Sequence, residues 1–475
     1  MRRIALPLGP LLLVVVLVAP PPGGMTEGAW RVSGLAAWMA LWWLTAVIPL
    51  EATALLPLVV LPLLGAVGFS AVAAHYADPI IFLFLGGFLI AAALERWELH
   101  RRFAAAALRA AGTDQRRIVL AFMLATAFLS MWISNTATAI MMLPIAAAAV
   151  GIERGGAVGE RLAEGGLPVA VLLAVAYGAS IGGVTTLIGS PPNAILAANA
   201  RELAGVDVTF ASWLPIGLAV AIPMLGVCWW ALVTLCRVPR GPRSNPGPVT
   251  TALPPLGPGE RFVLGVFAGA AVAWVLRTPK VLGAARIPGL TDLVPGLTDA
   301  GIAMIAALLL FAVPLRRASR RFALDWDTAR HVPWGVLLLF GGGLALAGAF
   351  ETSGLTTWIG GRLVALRGLP VPVVIGATAT LFVFLTELTS NTATAALGMP
   401  LLAGAADGLG LPPAQLMLAA ALSASMAFML PVATPPNAIV FGFGALRIGH
   451  MARVGIVLNL AAILVITVVV SFGFP

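Results

Sequence analysis

The chain has 475 residues, 60% of them hydrophobic and 10% charged, with a mean hydropathy of +1.01. A soluble domain carries roughly 25% charged residues, so this composition excludes a soluble fold, and apolar runs of about 17–25 residues mark a polytopic helical membrane protein. The net charge of +9 does not point to nucleic acid, because the arginines cluster between apolar runs without the interleaved aromatics of a single-strand binder.

At the N-terminus, Arg2-Arg3 precede an apolar stretch to Val18 and then Pro20-Pro21-Pro22-Gly23-Gly24. This resembles a signal peptide but lacks an A-x-A-like cleavage site, so residues 1–30 are expected to keep an N-terminal transmembrane helix, its start in the cytoplasm. The other Arg clusters orient the chain when held inside: Arg101/Arg102/Arg116/Arg117, Arg237/Arg240/Arg243, Arg316/Arg317/Arg320/Arg321 and Arg447/Arg453. Spans are expected at about 32–50, 52–68 and 79–98, the last leading into an amphipathic, Arg-rich stretch that ends near Arg117. A hairpin at about 118–150, a helix at about 167–204 broken at Gly189-Ser190-Pro191-Pro192, and a span at about 212–236 complete a first repeat, 31–236. A Pro-, Gly- and Arg-rich cytoplasmic linker covers 237–259. The second repeat, 260–475, is expected to hold spans near 261–277, 300–315 and 333–352, a hairpin at about 371–406, a broken helix at about 412–447 and a last span near 452–473.

The two halves carry the same signatures. Ser134-Asn135-Thr136-Ala137-Thr138-Ala139 leads to Pro144, and Ser390-Asn391-Thr392-Ala393-Thr394-Ala395 leads to Pro400, 256 residues further on. At that offset Gly86-Gly87 matches Gly342-Gly343 and Glu95 matches Glu351. Pro191-Pro192-Asn193-Ala194-Ile195 returns as Pro435-Pro436-Asn437-Ala438-Ile439, offset by 244. Five spans per repeat is an odd number, so the expected fold is all-α with two inverted-topology repeats, re-entrant hairpins and broken helices, plus the extra N-terminal helix.

Ser, Asn and Thr in succession are N-cap residues that compete with helical hydrogen bonding, so each triplet reads as the tip between two half-helices. The second half-helix would aim free N–H groups inward, with about half a positive charge behind them. The Pro-Pro-Asn breaks remove donors and free upstream carbonyls, which with Asn and Ser/Thr oxygens suit a small hard cation. Neither tip nor break contains Arg or Lys. A dianion bound there needs bound cations for much of its charge balance, which is a physical basis for coupled transport.

On these residues the chain resembles the divalent anion:sodium symporters, from Pro49-Leu50-Glu51 through Gly86-Gly87 and both hairpins to Ala433-Thr434-Pro435-Pro436-Asn437. The resemblance implies that Ser134, Asn135, Thr136, Ser390, Asn391 and Thr392 grip substrate carboxylates, with Ser190, Thr434 and Pro435 contributing from the breaks. It implies one sodium ion on Ser130, Ser134, Asn135 and Gly189, and another on Thr386, Thr389, Asn391 and Ala433, partly through carbonyls. It implies further a homodimer working by an elevator motion, and intact Ser-Asn-Thr in both copies looks more like dicarboxylate than sulfate carriers.

Other polar residues have simpler readings. Glu387 stands where the first repeat has Met131 and is expected to hold its hairpin by hydrogen bonding, rather than carry a proton or tune a cation site. Glu95 and Glu351 sit at span ends as anchors. His75, His100, His331 and His450 form no H-x-x-x-H pair, and Cys228 and Cys236 are apolar fillers. Gly341-Gly342-Gly343 lacks the strand and Lys of a nucleotide loop and reads as close helix packing. The sequence therefore predicts an inner-membrane transporter importing C4-dicarboxylates (succinate, malate or fumarate) with sodium. The alternatives are a dicarboxylate or citrate exchanger, a sulfate:sodium symporter, and, from another class, the membrane subunit of an ATP-driven anion pump. No Walker motif and no nucleophile–base constellation is present, which leaves a membrane enzyme without support.

Overall fold

A computed structural model describes residues 2–152, 166–242, 254–282, 285–316 and 321–473. Positions 243–253 of the expected linker, with Arg243, lie outside the described residues, as do Arg317 and Arg320.

The first half begins with α1 (Arg2–Val18) and α2 (Glu27–Thr45). Thr26 starts α2 by accepting from Ala29 N at 3.1 Å. The span expected at 52–68 is instead two short helices, α3 (Leu50–Thr53) and α4 (Leu56–Leu63). Two prolines in α4, Pro57 and Pro62, break a continuous ladder there. Then come α5 (Phe69–Ala74), α6 (Pro79–Arg96) and α7 (Leu99–Ala111). The first hairpin is α8 (Gln115–Ser130) with α9 (Asn135–Val150); the first broken helix is α10 (Leu167–Gly183) with α11 (Pro191–Ala204); α12 (Phe210–Leu235) closes the half.

The second half has the same order. It runs α13 (Pro258–Leu276), α14 (Leu290–Leu293), α15 (Asp299–Ala312), α16 (Trp326–Ala329), α17 (Trp334–Ser353) and α18 (Leu355–Leu363). The second hairpin is α19 (Val371–Thr386) with α20 (Asn391–Leu409); the second broken helix is α21 (Pro413–Ala424) with α22 (Pro435–Gly442); α23 (Ile448–Phe472) is last. Two short antiparallel ribbons interrupt the all-helical plan in connecting segments, β1 (Lys280–Leu282) with β2 (Ala285–Ile287) and β3 (Pro314–Arg316) with β4 (Arg321–Phe322).

Burial sorts the helices into centre and rim. Every described side chain of α10 except Pro168, and Ala414 through Ala424 of α21, is buried. A helix apolar on all faces belongs inside a bundle. By contrast α12, α13 and α23 turn Ile222, Val272 and Leu464 outward, each more than half exposed. Such faces are costly in water and favourable against lipid. Among the described residues five helical runs are long and apolar enough to cross a bilayer alone: Phe69–Arg96, Phe210–Leu235, Pro258–Leu276, Trp334–Ser353 and Ile448–Phe472.

The halves interlock. α9 packs on α22, and α20 packs on α11. The repeat-related glycines make matching close approaches to the other half. A Cβ on Gly86 would lie 2.6 Å from Ala303 Cβ, and one on Gly342 would lie 2.3 Å from Ala54 O. Small residues at such crossings let helix backbones touch.

The expected inversion makes a direct prediction. Thr113, before the first hairpin, and Leu369, before the second, are repeat equivalents and both are exposed. Cysteines placed singly there react with a membrane-impermeant maleimide from opposite sides, Thr113→Cys from the cytoplasm and Leu369→Cys from outside. Labelling of both from one side contradicts the inverted arrangement. Native Cys228 and Cys236 are buried and give little background.

Candidate functional site

Both hairpin tips and both breaks line one cavity of about 1210 Å³. Its polar end carries Ser134, Asn135, Thr136, Ser390, Asn391 and Thr392, with Gly189, Ser190, Pro191, Ala433, Thr434 and Pro435 beside them. Phe84, Phe88 and Trp43 form an apolar wall, and Glu95, Arg96, Asp325 and Arg330 line the mouth. There Arg96 pairs with Asp325 at 2.7 Å, and Trp97 Nε1 donates to Ala323 O at 2.9 Å, joining the two halves. The N–H and hydroxyl of Thr328, followed by Arg96, hold the Asp325 carboxyl below the usual carboxylate range.

The tips are helix starts, as the capping triplets require. Ser134 Oγ accepts from Ala137 N at 3.3 Å, whereas the Ser390 side chain caps nothing and stays available. The first N–H groups of α9 and α20 have no carbonyl within their helices, so both starts present donors and positive dipole ends to the cavity. α11 and α22 behave differently. Each starts Pro-Pro, which removes two of those donors. Anion-binding capacity therefore resides in the tips, and the breaks contribute oxygen.

That oxygen converges at two places. One terminal atom of the Asn135 amide lies 2.6 Å from Ser130 Oγ, 3.1 Å from Ala179 O and 3.2 Å from Gly189 O. Three oxygens around it make that atom the amide nitrogen when nothing else is bound. With the amide oxygen turned in, the same groups offer four oxygens to a hard cation. A Cβ on Gly183 would stand 2.2 Å from that same terminal atom, so glycine lets the end of α10 abut this amide. In the second half Thr386 Oγ1 donates to Asn391 Oδ1 at 2.7 Å and to Ala424 O at 2.9 Å. Ser130 and Thr386 thus do the same thing, each bonding the tip asparagine five residues later.

The remaining sequence-singled residues fall in varied places. The Thr389 hydroxyl is engaged by Leu385 O at 2.8 Å and Thr394 Oγ1 at 2.6 Å, which leaves its carbonyl rather than its side chain for an ion. Thr434 Oγ1 caps α22 by accepting from Asn437 N at 3.3 Å. Ser190 is 1% exposed, its hydroxyl turned to Ser425 Oγ at 3.1 Å. Glu95 reaches the cavity mouth, while Glu351 does not line the cavity.

The breaks are wider than their prolines suggest: Val184–Ser190 in the first and Ser425–Thr434 in the second are non-helical. Each is stapled by its Pro-Pro-Asn asparagine. Asn193 Nδ2 donates to Gly183 O at 2.9 Å and Thr186 O at 2.8 Å; Asn437 Nδ2 donates to Ala427 O at 3.3 Å and Leu430 O at 3.1 Å. Their amide nitrogens therefore hold break carbonyls, while Asn193 Oδ1 and Asn437 Oδ1 stay buried without a hydrogen-bond partner, a division of roles the sequence could not distinguish.

Glu387 completes the second break. Its Oε1 accepts from Phe428 N at 2.7 Å, Met429 N at 2.8 Å and Asn459 Nδ2 at 2.8 Å, and its Oε2 from Leu430 N at 3.0 Å. The expected hydrogen-bonding role is what the geometry shows, but the target is the neighbouring break rather than the hairpin itself. Ala179, Ala424 and Ser425 escaped the sequence reading; a helix carbonyl leaves no signal in a side-chain string. Asn459, buried in the apolar α23, did leave one.

Two helical hairpins and two broken helices meeting at one cavity in an apolar, polytopic chain are the build of a secondary transporter. The family model described as the sodium:sulfate symporter transmembrane region matches residues 4–474. A sodium-dependent dicarboxylate transporter, SdcS, of Staphylococcus saprophyticus is 40% identical over 486 residues, covering 100% of this chain and 92% of that protein. SdcS of Staphylococcus aureus strain USA300 is 39% identical, covering 100% and 91%. The chain belongs to the sodium:sulfate symporter family, and is a multi-pass membrane transporter rather than an enzyme. Among solved structures it shares its fold with the YdaH transporter of Alcanivorax borkumensis, with TM-score 0.61, 18% identity and coverage of 94% of this chain and 99% of that one. MtrF of Neisseria gonorrhoeae matches with TM-score 0.59 and 12% identity over 98% and 94%.

The Glu387 geometry sets an order of stability. Glu387→Ala leaves several buried donors unpaired at about 1–3 kcal/mol each. Glu387→Gln keeps one oxygen for Phe428, Met429 and Asn459 but sets an amide donor against Leu430 N–H. Melting of the purified protein in detergent should fall in the order wild type, Gln, Ala, and a Gln variant that melts below the Ala variant contradicts the clamp.

Proposed function

We propose that the chain is a sodium-coupled secondary transporter that imports C4-dicarboxylates such as succinate, malate or fumarate. The observation that carries this reading is the pairing, in each half, of a donor-rich helix start with an adjoining oxygen cluster. Each helix start offers about half a positive charge, so two tips offset roughly half the charge of a dicarboxylate dianion. With no Arg or Lys at either tip, bound cations must supply the balance. Substrate then binds well only when cations are bound, which is the thermodynamic condition for symport.

Ser134, Asn135, Thr136, Ser390, Asn391 and Thr392 hold the carboxylates, with Ser190, Thr434 and Pro435 at the edges. One sodium ion takes Ser130, Ser134, Asn135 and Gly189, with Ala179 O added by the geometry. The other takes Thr386, Asn391 and the carbonyls of Thr389 and Ala433, with Ala424 O beside them. The names of the staphylococcal relatives support sodium and dicarboxylate together. The description of the family model supports a second reading, a sulfate:sodium symporter. An exchanger of the same fold differs in needing no sodium gradient.

The mouth of the cavity lies at the end of α6 carrying Arg96, next to the Arg-rich α7. By the positive-inside rule that end faces the cytoplasm, so the arrangement is inward-open, in the inner (plasma) membrane with the N-terminus inside. The elevator motion and the homodimer rest on the family resemblance.

The test is uptake of labelled succinate into proteoliposomes of the purified protein, with and without a sodium gradient, against citrate and sulfate as competitors. Sodium-driven uptake competed by dicarboxylates is expected. Competition by sulfate alone favours the second reading, and sodium-independent counterflow favours the exchanger. Asn135→Ala and Asn391→Ala should each lower uptake by more than about tenfold, the equivalent of about 1.4 kcal/mol, in protein that still melts cooperatively. Near-normal uptake by either variant removes the central-site model.

A further inference from the structure

The two breaks touch through one pair of hydroxyls. Ser190 Oγ and Ser425 Oγ lie 3.1 Å apart, and the two residues are 1% and 0% exposed. Among the described residues no other side-chain hydrogen bond joins the breaks. Repeat symmetry does not demand the contact: at the offset of 244, Ile181 stands opposite Ser425 and Thr434 opposite Ser190.

The neighbours of these serines give the pair its meaning. Ser190 directly follows Gly189, whose carbonyl belongs to the oxygen cluster around Asn135. Ser425 directly follows Ala424, whose carbonyl accepts from Thr386 in the second cluster. Ser190 is the extended N-cap residue of α11, and Ser425 ends α21. One hydrogen bond therefore ties the backbone that presents one cluster's carbonyl to the backbone that presents the other's.

We propose that the Ser190–Ser425 bond couples the two cation sites, so that filling one raises the affinity of the other; this rests on the sodium-coupled reading above. A cation held by Gly189 O fixes that peptide plane and hence the position of Ser190. The hydroxyl contact passes the restraint to the end of α21, which then presents Ala424 O at a lower ordering cost. Either hydroxyl can donate, so the link persists whichever site fills first. Toward the cations both serines act as positioning residues, through the carbonyls beside them, while Ser190 also stands at the edge of the substrate site.

The test measures sodium dependence in wild type, Ser425→Ala, Ser190→Ala and the double variant. Uptake in proteoliposomes gives one curve, and the sodium-dependent rise in melting temperature in detergent gives another that needs no transport. The expected wild-type uptake curve is sigmoidal, and the melting temperature should pass directly to the steep logarithmic slope of two ions binding together. Uptake by Ser425→Ala should become less steep, its Hill coefficient falling toward that of two independent sites, with half-saturating sodium raised about fivefold or more. In the sodium-dependent melting curve, taken without substrate, the double variant should be no worse than Ser425→Ala alone, because one bond is broken only once. A merely structural serine lowers maximal rate or melting temperature and leaves the shape of the sodium curve unchanged; that result overturns the link. A hyperbolic wild-type curve overturns it equally. Wild-type protein indifferent to sodium in both assays overturns the sodium-coupled reading itself, a distinct outcome.

Discussion

Inside hydrocarbon there is no water to satisfy a free peptide group, and each orphan costs several kcal/mol. The structure depends on that constraint. It keeps two stretches of non-helical backbone, Val184–Ser190 and Ser425–Thr434, at the centre of the bundle, where carbonyls and amides are useful to a charged cargo. Their cost is met by side chains placed for the purpose. Asn193 and Asn437 do this in the same way in both halves, each amide spanning its break to two carbonyls.

The halves then diverge. In the first break Thr186 donates its hydroxyl to Met131 O, a neutral bond from break to hairpin. In the second, three consecutive N–H groups, from Phe428 to Leu430, face a carboxylate, and Tyr177 from the other half donates to Phe428 O at 2.9 Å. Bonds to an ionised acceptor are roughly twice as strong as neutral ones. The second break is thus the more firmly held, and the difference between Glu387 and Met131 is its visible cause.

The helix starts at the tips obey a related economy. An arginine there would bind an anion outright and would hold it whether or not cations were present. Helix dipoles, worth about half a charge each, leave the anion under-compensated. In the proposed mechanism coupling is built from that deficit, and glycine at 183 lets the end of α10 abut the Asn135 amide beside the carbonyls of Ala179 and Gly189.

Much of this was legible in the chain. Ser-Asn-Thr and Pro-Pro-Asn act over three or four residues through capping and loss of donors, so local sequence reveals both the tips and the breaks. Paired copies at fixed offsets reveal the repeat order. The division of the span at 52–68 into α3 and α4 was missed, because a Pro-containing apolar run supports either form until its neighbours pack against it. The short ribbons β1–β2 and β3–β4 gave no distinct pattern in segments of two or three residues.

What the sequence by itself determined is where the backbone must stop being helical and which side chains stand there, since those are consequences of one residue's chemistry on its neighbours. Only the tertiary structure decided what each interruption serves. It gave Glu387 to a break 41 residues further on, turned the Pro-Pro-Asn amides into staples, and brought the carbonyls of Ala179 and Ala424 to the tips. A backbone carbonyl is identical at every position of the chain, so its role is set entirely by what folds up against it.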